Sequence, residues 1–467
     1  MRQAIALDYA DPAVVFAPFA DEPWAVFLDS ARADTALGRY SFICVDPVSR
    51  LTVTGDELRR DGKPERGDPF DLLRQMLAAR AAPLLPGLPP FQGGAAGFFG
   101  YELGGWIERL PPPRPGGAGL PDMAVGIYPA VLAFDVIAQK AWLIAEADCP
   151  PARVARLRQA MSDARAQPGG QDDPDRIAAP MACNPRSNFT RDAYCAAVAR
   201  VIDYILAGDI FQANIAQRFT LDLPDDFAPY QFYRRLRQVN AAPFAAYLRL
   251  ENGVLASSSP ERFVKLSGEA VEARPIKGTR PRAADWATDP GADRAIAEAL
   301  LGSEKDRAEN VMIVDLLRND LSRVCRDGSV TVPTLCGLES YAMVHHLVSV
   351  VRGRLRAGLG ASDLLRAAFP GGSITGAPKI RAMEIIAQTE PHPRGPYCGA
   401  IGYLGSDGGM DLNIAIRTVT FAGGLAHFHA GGGIVADSDP MTEYNETLDK
   451  ARAIFAAFGV APPVPLS

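Results

Sequence analysis

The chain has 467 residues and a formal net charge of −6, from 48 lysines and arginines against 54 aspartates and glutamates. Hydrophobic residues make up 48% and charged residues 22%, a balance typical of globular proteins that excludes disorder along the whole chain. A mildly acidic sequence without a basic run is not expected to bind nucleic acid. No stretch reaches the roughly 18 consecutive apolar residues that span a membrane.

The seven cysteines are scattered along the chain, and no Cys-x-x-Cys pair occurs. This usage predicts reduced thiols in a cytoplasmic protein rather than a disulfide framework. The first ten residues include Asp8 before any long apolar run, which is unlike a secretory signal.

Two segments interrupt the globular pattern and divide the chain. Residues 83–121 are rich in proline and glycine and predict a packed irregular loop. Residues 148–188 hold a short helical pattern at 153–165 and then a polar stretch. We therefore divide the chain into an N-terminal part (1–147), a connecting excursion (148–188), a larger part (189–459) and a tail (460–467).

The larger part alternates strand and helix signals. Thr190 is placed to cap a helix that ends at Gly208, Ser303 to cap one reaching about residue 324, and Asp439-Pro440 starts another. Strand patterns occur at 211–220, 242–250, 253–258, 263–266, 270–273, 399–404, 412–420 and 425–430. Helices inserted between successive antiparallel strands predict an α+β fold.

Two segments offer reactive side chains. Glu261 follows the serines and proline at 257–260, where partial burial would raise the pKa of a general acid or base; an exposed turn glutamate is the alternative. Lys277 precedes Gly278, which lets another group approach the backbone. Such a lysine is a candidate nucleophile, and a solvated turn lysine is the alternative.

Two predicted helices carry matched acidic pairs. Asp306 and Glu309 are three residues apart, as are Glu443 and Glu446, so each pair shares one helix face. Carboxylates converging from two helices suit Mg²⁺, which prefers oxygen ligands. Taken alone, each pair also fits a solvated helix surface.

Glycine-rich turns suggest an anionic small molecule. The loop at 370–379 resembles a phosphate loop, but Ala377-Pro378 stand where such a loop has Lys-Ser or Lys-Thr, which argues against a nucleotide. A carboxylate remains compatible with this loop and with the glycines at 431–433, although a tight connection explains the latter equally well. Arg417 lies within a strand pattern, and it needs an anionic partner if it faces inward.

The ordered set of segments resembles the chorismate-utilising enzymes, over a match from about residue 190 to 457. The segments include Gly-Asp-Ile-Phe-Gln at 208–212, Ser-Pro-Glu-Arg-Phe at 259–263, His-His-Leu-Val-Ser at 345–349 and the glycines at 431–433. The resemblance implies two antiparallel sheets packed as a sandwich, helices outside, and the active site in the cleft between the sheets. The N-terminal part is expected to pack on the catalytic part.

Within that family, the residues at two positions, Lys277 and Gln212, indicate which member the chain resembles. Anthranilate-forming members look alike but usually have alanine at the position of Lys277, and isochorismate- and salicylate-forming members have a water-activating lysine at that of Gln212. The combination implies amination of chorismate to 4-amino-4-deoxychorismate, on the branch to 4-aminobenzoate and folate. Component I of an anthranilate-forming enzyme is the alternative. A catalytically inactive regulatory subunit is a third, which the intact acidic residues oppose.

The resemblance also implies roles for individual residues. Lys277 would attack the ring while Glu261 acts as general acid. Glu309 and Glu446 would hold Mg²⁺, assisted through water by Asp306 and Glu443. His346 would lie near the reacting ring, and the residues expected to bind the substrate are Thr375, Lys379, Tyr403, Arg417, Gly431, Gly432 and Gly433.

Two partner molecules follow from the same resemblance. No Gly-x-Cys-x-Gly segment of a glutaminase occurs in the sequence, so a separate glutamine amidotransferase subunit is expected to form a heterodimer and supply ammonia. Residues 27–30 and 39–41 resemble a pocket that holds tryptophan in some members, with Ser30, Arg39 and Tyr40 as its candidate residues.

Overall fold

The computed structural model describes residues 2–32, 37–166, 184–283, 290–341 and 344–463. Elements are numbered in chain order. The elements before residue 150 are β1 (Arg2–Leu7), α1 (Pro12–Phe16), β2 (Val26–Asp29), β3 (Tyr40–Cys44), β4 (Ser49–Thr54), β5 (Glu57–Arg60), β6 (Lys63–Pro64), α2 (Pro69–Ala78), β7 (Gly94–Phe99), β8 (Met123–Tyr128), β9 (Ala130–Asp135) and β10 (Lys140–Glu146).

The remaining elements alternate strands and helices. They are α3 (Pro151–Ala166), β11 (Arg186–Ser187), α4 (Arg191–Leu206), β12 (Gln212–Asp222), α5 (Pro229–Val239), β13 (Phe244–Arg249), β14 (Val254–Ser259), β15 (Arg262–Ser267), β16 (Ala270–Ala273), β17 (Ile276–Pro281), α6 (Pro290–Leu301), α7 (Glu304–Ser322), β18 (Thr331–Ser340), β19 (Val344–Arg354), α8 (Ala361–Ala368), β20 (Gly376–Ala377), α9 (Lys379–Thr389), β21 (Ala400–Gly405), β22 (Met410–Ile414), β23 (Thr418–Ala422), β24 (Leu425–Ile434) and α10 (Pro440–Phe458).

Local capping sets where the predicted helices begin. Thr190 Oγ1 accepts a hydrogen bond from the Ala193 amide at the start of α4. Ser303 and Asp439 cap α7 and α10 in the same way. These side chains satisfy amide groups that have no partner within the helix. The three predicted helix starts are therefore confirmed.

The described strands form two large antiparallel sheets. The first has the order β1-β10-β9-β3-β2-β13-β14-β23-β24-β12-β11, with β20 also paired to β12. The second has the order β17-β19-β16-β15-β22-β21-β7-β8-β4-β5-β6, with β18 also paired to β19. Strands from the first 147 residues take part in both sheets. The N-terminal part therefore completes the sheets of the larger part.

The sheets pack face to face with helices outside, as predicted. A buried cluster between them joins Phe42 and Leu255 of the first sheet to Phe98 of the second. Other clusters place α1, α3, α5 and α10 against the first sheet and α2, α7 and α8 against the second. Covering both faces explains why strands such as β8 and β9 are buried along their whole length.

Two predicted elements differ from the structure. The strand expected at 412–420 is divided into β22 and β23, because Arg417 between them has a φ of 51° that breaks the extended backbone. The expected irregular loop at 83–121 contains β7, whose six residues are all buried in the second sheet. Much of the predicted polar excursion, and Cys183, lie outside the described residues.

Among the described residues, no helix is both long and apolar enough to cross a membrane. The six cysteines in the described part of the chain are free thiols, which agrees with the expected reduced state.

Candidate active site

Glu261 lies where the chain passes from the first sheet to the second. It stands between β14 and β15, next to a register shift in the pairing of β15 with β22. The residue is 7% exposed, and its Oε1 accepts a hydrogen bond of 2.8 Å from Ser373 Oγ. Burial raises the pKa of Glu261 to about 7, although the Ser373 hydrogen bond and the Lys277 charge act in the opposite direction. Such a carboxyl group can donate and accept a proton near neutral pH.

Lys277 reaches the same space from β17 of the second sheet. Its Nζ lies 3.6 Å from Glu309 Oε2 on α7. A Cβ added at Gly433, on β24 of the first sheet, would lie 3.2 Å from Lys277 Nζ and collide with Gln212 Nε2. Only glycine leaves room there, so the structure brings Lys277, Gln212 and Gly433 together across the cleft.

The four predicted metal ligands lie on α7 and α10, each beside a cation. Glu309 pairs with Lys277 at 3.6 Å, Asp306 with Arg280 at 3.0 Å, Glu443 with Lys305 at 3.9 Å and Glu446 with Lys450 at 2.6 Å. Lys305 belongs to α7, so its contact with Glu443 spans the two helices. Among the described residues, no three acidic, histidine or cysteine side chains are close enough to share a metal ion in this arrangement.

The donor set nevertheless fits a hard cation. A Cβ at Gly432 would come within 3.0 Å of Glu443 Oε2 and 3.6 Å of Glu446 Oε1. The absence of a side chain at Gly432 therefore lets both carboxylates lie close to the backbone of β24. Oxygen ligands from two facing helices are the chemistry that Mg²⁺ prefers, and the paired lysines supply the charge that such an ion would replace.

Arg417 and His346 lie together at one end of the cleft, where Arg417 carries the positive charge. Arg417 Nη1 donates to Asn240 Oδ1 at 3.1 Å, and no carboxylate of the described residues pairs with it. Burial lowers the pKa of its guanidinium. Burial, reinforced by the charges of Arg417 and Arg32, also lowers the pKa of His346 to about 4, so the ring is neutral at pH 7. A buried arginine in this state favours an anionic ligand.

Thr375 and Lys379 have partners within the protein. Thr375 Oγ1 donates to the Gly371 carbonyl at 3.0 Å. Lys379 Nζ pairs with Asp320 Oδ2 at 2.7 Å and donates to the Ala368 carbonyl at 2.9 Å. Both side chains therefore stabilise the turn that carries Ser373. This placement disfavours direct binding of a substrate carboxylate by Lys379.

The chain matches a family model described as "chorismate binding enzyme" over residues 25–456. It belongs to that family. The chain is 44% identical to the aminodeoxychorismate synthase component 1 of Klebsiella aerogenes, over 94% of each chain. It is 40% identical to the anthranilate synthase component 1 of Streptomyces coelicolor, over 98% of this chain and 88% of that one.

A solved structure of the same family shares the fold. The anthranilate synthase component I of Streptococcus pneumoniae superposes with a TM-score of 0.79 at 33% identity, covering 89% of this chain and 92% of the other. The α+β architecture predicted from the resemblance is thereby confirmed for this member of the chorismate binding family.

The structure places Tyr403 away from the position predicted for it. Its ring stacks on Phe91 at 4.4 Å between centroids, and it lines a cavity of about 120 Å³ together with Ser30 and Tyr40. Tyr403 therefore lines the candidate tryptophan pocket and does not lie beside Lys277 and Glu261. Arg39 does not line this cavity, because its guanidinium pairs with Asp135 at 2.8 Å.

Two residues of the site were not singled out from the sequence. Ser373 lies in the glycine-rich loop that was noted, but its contact with Glu261 depends on the fold. Lys450 Nζ bonds to the Gly431 carbonyl at 2.9 Å and pairs with Glu446 one helical turn earlier. Lys450 follows Glu446 by four residues, a spacing typical of ion pairs on one helix face, so the sequence alone could have indicated this pair.

Proposed function

We propose that this chain is component I of an aminodeoxychorismate synthase. It converts chorismate and ammonia to 4-amino-4-deoxychorismate, a step toward 4-aminobenzoate and folate, in the cytoplasm. The observation that carries the proposal is Lys277, whose ammonium group lies in the cleft between Glu309 and Gly433. The 44% identity to aminodeoxychorismate synthase component 1 proteins over most of the chain supports it.

The first chemical step forms a covalent intermediate. Lys277 first gives one proton to solvent and reacts as the neutral amine, so that its Nζ bonds to C2 of chorismate while the ring double bond shifts and the C4–O bond breaks. Glu261 gives its proton to the departing hydroxyl, which leaves as water. A carboxyl group with a pKa of about 7 is partly protonated under the conditions of the reaction, as this role requires.

The second step reverses the first with a different nucleophile. Ammonia bonds to C4, the double bond shifts back, and the C2–Nζ bond breaks to release Lys277. The Glu261 carboxylate takes up the proton that the new amine gives away. Two displacements return the nitrogen to the carbon that lost oxygen, and the enolpyruvyl ether is retained.

The substrate is a dicarboxylate, and the cleft offers matching groups. Arg417 supplies a buried guanidinium without a carboxylate partner among the described residues. Backbone amides at 431–433 would supply neutral donors, and His346 would lie near the ring. Glu309, Glu446, Asp306 and Glu443 would hold Mg²⁺, which would clamp the ring carboxylate when bound.

Ammonia is supplied by a partner in this proposal. Component I proteins are named as one part of a larger enzyme, and this sequence has no glutaminase nucleophile segment. A glutamine amidotransferase subunit therefore provides ammonia. Excess ammonium replaces it in a test of the isolated chain.

Product analysis by mass spectrometry tests the proposal. The purified chain is incubated with chorismate, Mg²⁺ and excess ammonium at mildly alkaline pH. The expected product is an amine that keeps the enolpyruvyl group and yields 4-aminobenzoate only after a lyase is added. Formation of anthranilate and pyruvate would overturn the proposal in favour of the anthranilate-forming alternative. Absence of turnover would favour a regulatory subunit.

A further inference from the structure

A cavity of about 370 Å³ lies between the β4–β5 turn, a short 3₁₀ helix (Tyr101–Trp106) and α9. Its apolar walls are formed by Trp106, Leu110, Met383 and Ile386. Neither Lys277 nor Glu261 is among the described residues that line it, so this cavity is separate from the catalytic cleft. Its volume is typical of sites that bind small molecules. We call it the Trp106 cavity.

The Trp106 cavity contains carboxylates without a cationic partner. Three of them form no ion pair within the described parts of the chain, namely Asp56, Glu102 and Asp122. Glu102 accepts hydrogen bonds from the Arg394 and Gly395 amides at 2.7 and 2.8 Å. Burial nevertheless raises the pKa of Glu102 to about 7, and it raises the pKa of Asp122 as well. Carboxylates raised in this way are stabilised when a cation comes close to them.

The basic residues that line the cavity already have partners. The Arg394 guanidinium pairs with Glu390 at 2.6 Å. Arg114 donates to two carbonyl groups in the last turn of α9, at 3.1 and 2.7 Å. Burial lowers the pKa of His392, which favours its neutral ring. The charge that these groups leave in the cavity is therefore negative.

Tyr101 adds an unsatisfied polar group to the same cavity wall. The residue is 8% exposed, and its buried hydroxyl has no hydrogen-bond partner among the residues that the structure describes. An unmade hydrogen bond is costly at a buried hydroxyl, whose oxygen can accept one from an ammonium group. The Trp106 ring is held in place by a hydrogen bond of 2.9 Å from its Nε1 to the Gly55 carbonyl. Aromatic faces of this kind attract cations.

We propose that the Trp106 cavity binds a small organic cation, an amine with an apolar body. Its ammonium group would lie among the carboxylates, and its body would pack against Trp106 and Met383. An inorganic cation would leave the apolar walls unused, and an anion would meet carboxylates that already lack partners. This inference does not depend on the proposed function, because no residue of the cavity takes part in the proposed reaction.

The position of the cavity relates an occupant to the catalytic acid. Arg394, in the cavity wall, donates to the Ile374 carbonyl at 3.0 Å. Ile374 follows Ser373, whose hydroxyl donates to Glu261. The Trp106 cavity therefore lies behind the turn that carries the hydrogen-bond partner of Glu261.

A pair of ligands that differ in charge tests the proposal. The probe is 2-phenylethylamine, and phenylacetate has the same aromatic body with a negative charge. Isothermal titration calorimetry of the full chain at pH 8 measures both, because the amine is protonated there and Glu102 is mostly ionised. The amine should bind with one-to-one stoichiometry and a dissociation constant of about 1 mM or lower, and phenylacetate at least about tenfold more weakly.

Variants locate the bound amine. Glu102→Gln should weaken its binding at least about tenfold, as for a lost charge-assisted contact, and Trp106→Ala about threefold or more. Asp56→Asn, at an exposed residue that is unlikely to affect folding, should weaken it about twofold to fivefold. Thermal unfolding shows whether each variant folds.

Two control variants have substitutions outside the cavity. Asp226→Asn removes one charge from an exposed aspartate between β12 and α5, and Tyr403→Ala alters the candidate tryptophan pocket. Both should bind the amine within about twofold of the unaltered chain. Equal affinity for phenylacetate, no saturable binding of the amine, or unchanged affinity in every folded cavity variant would overturn the proposal.

Discussion

Ser373 Oγ lies 2.8 Å from Glu261 Oε1 and donates a hydrogen bond to it. The contact joins a glycine-rich turn to the kinked end of a strand, 112 residues earlier in the chain. A hydrogen bond to the ionised carboxylate favours that form, so Ser373 limits how far burial can raise the pKa of Glu261.

Replacing Ser373 is therefore expected to change the pH dependence of amination. In Ser373→Ala the carboxylate loses its donor, so the pKa of Glu261 rises above about 7. Because Glu261 must be protonated to act as the acid, the alkaline limb of kcat/KM moves to higher pH. Lys277 and Lys450, the charged groups that also act on Glu261, remain in place. An alkaline limb that stays where it is would show that another group controls it.

Removing the nucleophile is expected to abolish the covalent route. Lys277→Ala should lower kcat for amination at least about a thousandfold, a loss typical of missing nucleophiles. Acid quenching of the unaltered enzyme during turnover, followed by peptide mass spectrometry, should show a chorismate-derived adduct on Lys277. Glu261→Gln is the companion variant, because it keeps the lysine and removes the acid. Full activity in Lys277→Ala would contradict covalent catalysis.

Arg417 is expected to bind a substrate carboxylate. Arg417→Met should raise KM for chorismate by about tenfold to a hundredfold, the loss expected for a charge-assisted hydrogen bond. Arg417→Lys should recover only part of it, because an ammonium group cannot reproduce a bidentate guanidinium contact. Steady-state kinetics with chorismate and ammonium varied separately would check this. Equal increases in KM for both substrates would point to a general disturbance of the cleft.

The Lys379–Asp320 ion pair offers a test that separates structure from substrate binding. Lys379→Met leaves the buried Asp320 carboxylate unpaired, which should destabilise the protein by about 3–5 kcal/mol. The double variant Lys379→Met/Asp320→Leu removes both charges and should recover most of that loss. Chemical denaturation measures the stability, and KM for chorismate measures binding. A raised KM in the stable double variant would restore the predicted role of Lys379 in binding chorismate.

The parts of the molecule that sequence predicted well are those set by local chemistry. Thr190, Ser303 and Asp439 begin helices because each can cap amides within its own turn. No local sequence signal predicts the break between β22 and β23 at Arg417. The alternating pattern runs through this residue, and its positive φ depends on the surrounding fold.

In the candidate site too, some features follow from the local sequence and others depend on the fold. Helical spacing predicts that each acidic pair shares one helix face. It cannot predict which cations from other elements pair with them, such as Lys277 from β17. From the sequence, Lys379 was expected to be free to bind substrate beside a glycine-rich loop, because its partner Asp320 is 59 residues away in the chain. Tyr403 entered through resemblance alone, and only the packing of the two sheets places it on Phe91.

The cavity that contains Ser30, Tyr40 and Tyr403 is expected to bind L-tryptophan. At about 100 times its dissociation constant, a ligand that binds only the folded state stabilises it by roughly 2.7 kcal/mol, which raises the melting temperature. Tyr403→Ala should lose that increase, because the ring forms a wall of the cavity. Arg39→Ala should keep it, because Arg39 pairs with Asp135 outside the cavity. Differential scanning calorimetry with and without L-tryptophan measures both. No increase in the unaltered protein would exclude tryptophan as the ligand, and loss of the increase in Arg39→Ala would return Arg39 to the pocket.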